Sequence, residues 1–237
     1  FNKLDTFKSL IVPVLYVGFP ILLVFMQPDL GTSLVYMAIF IGMLFISGIR
    51  LRLIRIIATV GVFLMPLAWF ILKDYQKKRI LVFMNPDIDP FGSGYHIIQS
   101  KIAIGSGTIF GKGLFNGTQS QLNFLPENHT DFIFSVIGEE LGFIGCIIVL
   151  ILLFMLIYRS IKVAYTCNDR FGMLLATGIG SMLCFEVLVN AGMTMGIMPV
   201  TGIPLPFISY GVSALTTNMI SIGILLNISM QRTKYIF

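Results

Sequence analysis

Six long apolar stretches, at residues 10–26, 30–47, 54–72, 132–158, 171–195 and 212–230, constrain this chain more than any other feature. The hydrocarbon core of a bilayer takes about 20 apolar residues of helix to cross, and only helices or closed barrels satisfy their backbone groups there. Each stretch has that length or nearly has it. Composition agrees, since 56% of the 237 residues are hydrophobic and 11% charged, with a mean hydropathy of +0.91. The chain is therefore read as all-α, a polytopic integral membrane protein forming one transmembrane domain, with a large loop at residues 73–131.

Orientation follows from the cations, because short cytoplasmic loops retain Lys and Arg. Lys3 and Lys8 precede the first stretch, and Arg50, Arg52 and Arg55 separate the second from the third. Arg159, Lys162 and Arg170 separate the fourth from the fifth, and Arg232 and Lys234 follow the sixth. These ends are assigned to the cytoplasm. The opposite side receives the Gln27-Pro28-Asp29 turn, the 73–131 loop and the stretch from Gly196 to Gly211. The net charge of +5 mostly reflects this bias, which argues against nucleic acid as a partner. Cys146, Cys167 and Cys184 are odd in number and lack metal spacing, so neither a disulfide nor a zinc site is expected. With no initiator Met before the first stretch, the chain reads as the C-terminal part of a longer protein.

The 73–131 loop is the least membrane-like segment and the place to look for chemistry. Ile97, Ile98, Ile102 and Ala103 recur at helical spacing around Gln99, Ser100 and Lys101, which predicts a short helix at the membrane surface. Gly111-Lys112-Gly113 brings flexible backbone amides and a cation together. It is either a phosphate cradle or an ordinary glycine-rich connector. Beyond it, Pro126-Glu127-Asn128-His129-Thr130-Asp131 ends in a carboxylate where the fourth apolar stretch begins. At about 100° per residue, Ser135, Gly138, Gly142 and Gly145 share the face of Asp131, predicting a narrow groove headed by that carboxylate. The alternative is that Asp131 caps the helix, worth about 1 kcal/mol.

Glu139, Glu140 and Glu186 lie within apolar stretches, so each should face the protein interior, be paired or be protonated. Structural hydrogen bonding accounts for Glu140 and Glu186 at least as well as function does. The stretch containing Pro199, Thr201, Pro204, Pro206, Ser209 and Gly211 is apolar yet too interrupted for a helix. Irregular backbone at membrane depth must be buried in protein or line a wet cavity. It is expected to wall a site.

Taken together, Leu125-Pro126-Glu127-Asn128-His129-Thr130-Asp131-Phe132-Ile133-Phe134, followed by Ile137-Gly138-Glu139-Glu140-Leu141-Gly142, resembles the hallmark of the RodA/FtsW family of shape, elongation, division and sporulation proteins. Gln27-Pro28-Asp29-Leu30-Gly31-Thr32 and the Pro199 to Gly211 stretch resemble two further hallmarks. Gly117-Thr118-Gln119-Ser120-Gln121 and the segment from Gly94 to Gly113 are more similar to RodA than to FtsW. One departure is Val212, where the family usually has a second glycine.

The resemblance implies about ten transmembrane helices in the intact protein, these being the last six. It also implies a peptidoglycan glycosyltransferase of the bacterial cytoplasmic membrane that polymerises lipid II on the outer face for cell-wall elongation, beside a class B penicillin-binding protein and surrounding lipids. Its catalytic aspartate matches Asp131, as general base. Lys101 and Lys112 are candidates for the leaving pyrophosphate, with Gln99, Glu127, His129, Thr130 and Asp29 as further substrate-binding positions. Gly138, Gly142, Glu139, Glu140, Pro199, Pro206, Ser209 and Gly211 would be structural. No organic cofactor is expected, while a divalent cation, Mg2+ or Mn2+, is a candidate. A lipid II flippase and a scaffold of the elongation machinery are the competing readings.

Overall fold

The computed structural model describes residues 7–27, 29–49, 69–70, 72–122 and 124–231, with a few positions between 52 and 63. The stretch expected as a helix at 54–72 therefore falls largely outside the described residues. The rest is all-helical, with no strand among them. The helices are α1 (Phe7–Met26), α2 (Leu30–Ile46), α3 (Asp74–Met84), α4 (Ser93–Ser106), the single turn α5 (Thr118–Gln121), α6 (Ile133–Thr166), α7 (Arg170–Thr194) and α8 (Val212–Gln231). Helices α6, α7 and α8 are long and apolar enough to cross a membrane, while α1 and α2 hold shorter apolar runs. Pro13 and Pro20 lie inside α1, an arrangement that membrane helices tolerate when neighbours or side chains satisfy the freed carbonyls.

Helix ends are set by local chemistry. Asp29 caps α2 by accepting from the Thr32 amide at 3.0 Å, and Asp169 caps α7 by accepting from the Gly172 amide at 2.8 Å. Helices α2 and α7 approach closely because small residues line their seam: a Cβ at Gly42 would run into Ser181, and one at Gly178 into Met43. Small residues serve this purpose where lipid supplies no hydrophobic drive. The main core gathers Phe134, Leu153 and Ile157 of α6 with Leu183 and Val187 of α7 and Leu205 of the 196–211 segment. On the outer side of α6, Phe143, Ile148, Leu152 and Phe154 remain exposed, the face a membrane would cover.

Helix α6 departs from a straight rod. Gly142 has φ 67° and ψ −164°, so two helical pieces meet there. The break frees backbone groups on both sides, and residues 108–113 fill the gap like a splint. Lys112 and Gly113 amides donate to the carbonyls of Glu139 and Glu140 at 3.0 Å each, while Phe143 and Ile144 amides donate to Thr108 and Ile109 carbonyls at 3.0 and 3.2 Å. Unpaired groups at this depth would be costly. A Cβ on Gly142 would strike the Gly111 amide and sit 2.6 Å from the Ile109 carbonyl. Gly142→Ala should therefore lose stability, with about 1–3 kcal/mol from the backbone conformation alone, read as a lowered thermal midpoint in detergent.

The fold decides between the two readings of the glycine-rich turn and overturns the expected groove. The Gly111-Lys112-Gly113 amides do not cradle a phosphate, because they bond to Gly107, Glu139 and Glu140 carbonyls. Nor is the glycine face of α6 an open groove. Ile104 of α4 packs against Gly138, Gly107 abuts the Gly138 carbonyl, and Gly142 sits under the splint, so protein fills the space left by the missing side chains.

Candidate active site

The start of α2, the 74–131 segment and the 196–211 segment share one end of the bundle. Gly31 is so close to the latter that a Cβ would lie 2.7 Å from the Thr201 carbonyl. Asp131 sits at this end, just before α6. The turn ahead of it closes on Glu127, whose φ of 51° is left-handed and whose carbonyl accepts from the Thr130 and Phe132 amides at 3.2 Å each. The helix then begins at Ile133, with Phe132 in the capping position and no side-chain cap. Asp131 is thus not the helix cap, since the turn leaves its carboxylate one position too early. No described residue donates a hydrogen bond to that carboxylate.

Its backbone, by contrast, is held from several directions. The Tyr210 amide donates to the His129 carbonyl at 2.8 Å, the Ser209 hydroxyl to the Thr130 carbonyl at 2.7 Å and the Asn190 amide to the Asp131 carbonyl at 3.0 Å. Gly202 comes so near that a Cβ would lie 3.5 Å from Asp131 Oδ2. The interrupted 196–211 stretch does wall the carboxylate, with Thr201, Ile203, Leu205 and Pro206 buried behind it. Val212, at the position of the family's second glycine, opens α8.

Burial pushes the Asp131 carboxyl above its ordinary value, and the Glu127 charge adds to the rise, against the opposing pull of Arg79 and His96. Arg79, from α3, lies with its guanidinium 5.9 Å from the Tyr75 ring centre and donates to the Val200 carbonyl at 3.3 Å. It forms no ion pair with a described carboxylate. His96, from α4, stacks on Phe132 with ring centres 6.0 Å apart, and its Nδ1 is buried without a partner among the described residues. Burial lowers its pKa, against the charges of Glu127, Asp89 and Asp131, favouring a neutral imidazole beside the aspartate.

Sequence reasoning passed over Arg79, His96 and Asn190. No local pattern marks them, because each comes from a different helix and they converge only in the fold. The residues it did single out divide between site and frame. Glu127, His129 and Thr130 flank Asp131, with the Thr130 hydroxyl donating to Glu127 at 3.1 Å. Gln99 is half-buried and Lys101 exposed on α4, the Lys101 stem lying against Gly196. Asp29 has both oxygens engaged by Thr32, its hydroxyl donating at 2.6 Å.

Lys112 lies in the frame. Its ammonium is 2.8 Å from Glu139, a residue with 0% exposure, which also accepts from Thr118, from the Gln119 amide and from the amide and hydroxyl of Ser120. Glu139 thereby fastens the loop to α6, while Glu140 accepts from Gln121 at 3.3 Å. Replacing Glu139 with Leu strands these donors. The expected cost is about 3–5 kcal/mol, the range for breaking a buried pair, seen as poor recovery of folded protein from membranes. An apolar groove of about 900 Å3 between α2, α6 and α7, lined by Met37, Ile41, Ile161 and Cys184, does not reach Asp131.

The model of the cell cycle protein family that comprises FtsW, RodA and SpoVE matches residues 2–234. The chain belongs to the FtsW/RodA/SpoVE family. Over 226 residues it is 47% identical to the peptidoglycan glycosyltransferase MrdB of Escherichia coli K12, covering 95% of this chain and 61% of that protein. Over 230 residues it is 42% identical to the stage V sporulation protein E of Bacillus subtilis 168, covering 96% and 62% respectively. The chain thus spans somewhat over half the length of these FtsW/RodA/SpoVE relatives. Among solved structures it is similar to a chain of a peptidoglycan synthase complex described as coordinating polymerization and crosslinking, with a TM-score of 0.80, 31% identity and coverage of 99% and 65%. It also resembles the rod shape determining protein RodA of Thermus thermophilus, with a TM-score of 0.61, 30% identity and coverage of 93% and 56%.

Proposed function

We propose that this chain carries the glycosyl-transfer site of a peptidoglycan glycosyltransferase that polymerises lipid II at the outer face of the bacterial cytoplasmic membrane. One observation carries the reading: a half-buried carboxylate, Asp131, with no described partner and a raised pKa, at the end of α6 away from the turn that joins it to α7. A general base needs that basicity and that freedom. Asp131 takes the proton of the acceptor's GlcNAc 4-hydroxyl as its oxygen attacks the anomeric carbon of the donor MurNAc. The bond from that carbon to the pyrophosphate oxygen breaks, and undecaprenyl pyrophosphate leaves with the electron pair.

Charge growing on the leaving group calls for a cation. Arg79 now stands ahead of Lys112, whose ammonium is held by Glu139, and the exposed Lys101 is the second candidate. Gln99, Glu127, His129 and Thr130 orient the sugars, and Asp29 contributes to the outer rim only through the helix it caps. Among the described residues no group of three His, Cys, Asp or Glu side chains is placed to hold a metal. Mg2+ is commonly held by one or two carboxylates together with substrate phosphates and water, so a divalent cation bound with the pyrophosphate is compatible with these residues. A crosslinking class B penicillin-binding protein is the partner that fits a polymerase of this kind.

The full-length protein in liposomes, assayed separately for glycan polymer and for lipid II translocation, tests the proposal. Polymer formation that fails with Asp131→Asn supports it. Translocation without polymer would mark a flippase, and neither activity in the unaltered protein a scaffold.

The acid limb of the rate profile is a further test. The base must be ionised, so the rate should fall as pH drops through the Asp131 pKa, above the ordinary aspartate value of about 4. Glu127→Gln removes a like charge that raises this pKa. The limb should then move to lower pH, whereas loss of Arg79 should move it higher.

A further inference from the structure

We infer that Asn190 is a positioning residue for Asp131, a role that rests on the reading of Asp131 as the base. Asn190 lies on α7 with 0% exposure, and its single side-chain amide group donates two hydrogen bonds. One goes to the Asp131 carbonyl at 3.0 Å and the other to the Ile203 carbonyl at 2.8 Å. These carbonyls belong to the two irregular segments that build the site. Ile203 adjoins Gly202, the residue against which Asp131 Oδ2 lies. A neutral amide is suited to this place, because it offers two donors to two carbonyls without burying a charge.

The orientation of that amide is fixed by the same contacts, since turning it over would set Oδ1 against two carbonyl oxygens. Its Oδ1 is instead left buried with no partner among the described residues. An orphaned buried acceptor is unfavourable, and the fold tolerates it here while keeping both donors on the site. Thr194, one turn on, donates back to the Asn190 carbonyl at 3.1 Å, holding the helix through its final turn. The Ser209 hydroxyl on the Thr130 carbonyl is an independent arm of the same clamp. Asn190 therefore sets the depth at which the Asp131 carboxylate stands between water and protein.

Displacing a reacting group by about 1 Å can cost about 10²-fold in rate. In the full-length protein reconstituted with lipid II, Asn190→Leu should lower kcat by about 10–100-fold with KM held within about twofold. Its acid limb should move toward the ordinary carboxylate range as Asp131 relaxes into water. Ser209→Ala, a smaller change, should show the same pattern more weakly, and it decides the matter if Asn190→Leu does not fold. A folded Asn190→Leu protein with unchanged kcat and acid limb overturns the inference, as does a loss confined to KM, or an unchanged Ser209→Ala where that variant alone can be measured. Asp131→Asn is run alongside. If it still polymerises, the base assignment itself is wrong; if it is inactive while Asn190→Leu matches the unaltered protein, only the positioning role fails.

Discussion

Asp131→Asn is expected to lower glycan polymerisation by about 10²–10⁴-fold, the usual contribution of a positioned general base. Asn keeps the shape of the side chain but has no lone pair able to take the hydroxyl proton at neutral pH. The backbone clamp on His129, Thr130 and Asp131 does not involve the carboxylate, so the fold should survive. Stability gives an internal control with a definite sign. The folded-state pKa of Asp131 is raised, chiefly by burial, so this group favours the fold most below its unfolded pKa. That contribution is lost as pH rises through the folded value. At neutral pH the Asn protein should accordingly be at least as stable as the unaltered one, with the difference vanishing in acid. A loss of both polymer and stability at neutral pH would contradict the account.

Removing the guanidinium of Arg79 is expected to cost about 10²–10³-fold in kcat, comparable to deleting a preorganised donor aimed at developing charge. Arg79 is suited to the leaving pyrophosphate because it is held in place and, among the described residues, has no carboxylate paired with it. The Tyr75 ring lies against it and the Val200 carbonyl takes one N–H, and no other described residue accepts from the fork, which has five N–H donors. Arg79→Lys keeps the charge and loses the planar fork, so it should recover only part of the rate. Lys112→Met should behave differently. That cation is committed to Glu139, and its loss should appear in folding yield ahead of turnover. If Lys112→Met abolished turnover in a fully folded protein while Arg79→Ala did not, the two assignments would be exchanged.

Much of this is legible in the sequence. The membrane class follows from the lengths of the apolar runs, since no other environment accepts such stretches repeatedly. Asp131 and the interrupted Pro199 to Gly211 segment were visible because a carboxylate at a span boundary and a proline-broken apolar run each violate a local rule, and such violations gather at functional sites. Periodicity misled at α6. It assumes an unbroken helix, so it drew Ser135, Gly138, Gly142 and Gly145 as one open face, whereas Gly142 breaks the helix and other segments occupy the space. The alternative of Asp131 as the cap fails for a related reason, because a turn closed on Glu127 starts the helix at Ile133 and puts Phe132 in the capping position.

Local spacing and hydropathy settled where the chain enters apolar surroundings and which carboxylate waits at that boundary, because both are properties of neighbours along the chain. Which groups surround the carboxylate was settled only when the helices packed. Arg79 and His96 are near enough for their charges to act on Asp131 and Asn190 bonds its carbonyl, each from a different helix, and Lys112 is drawn to Glu139 by a break no pattern announces. A pairing between distant residues depends on the packed arrangement of whole helices, and that arrangement exists only in three dimensions.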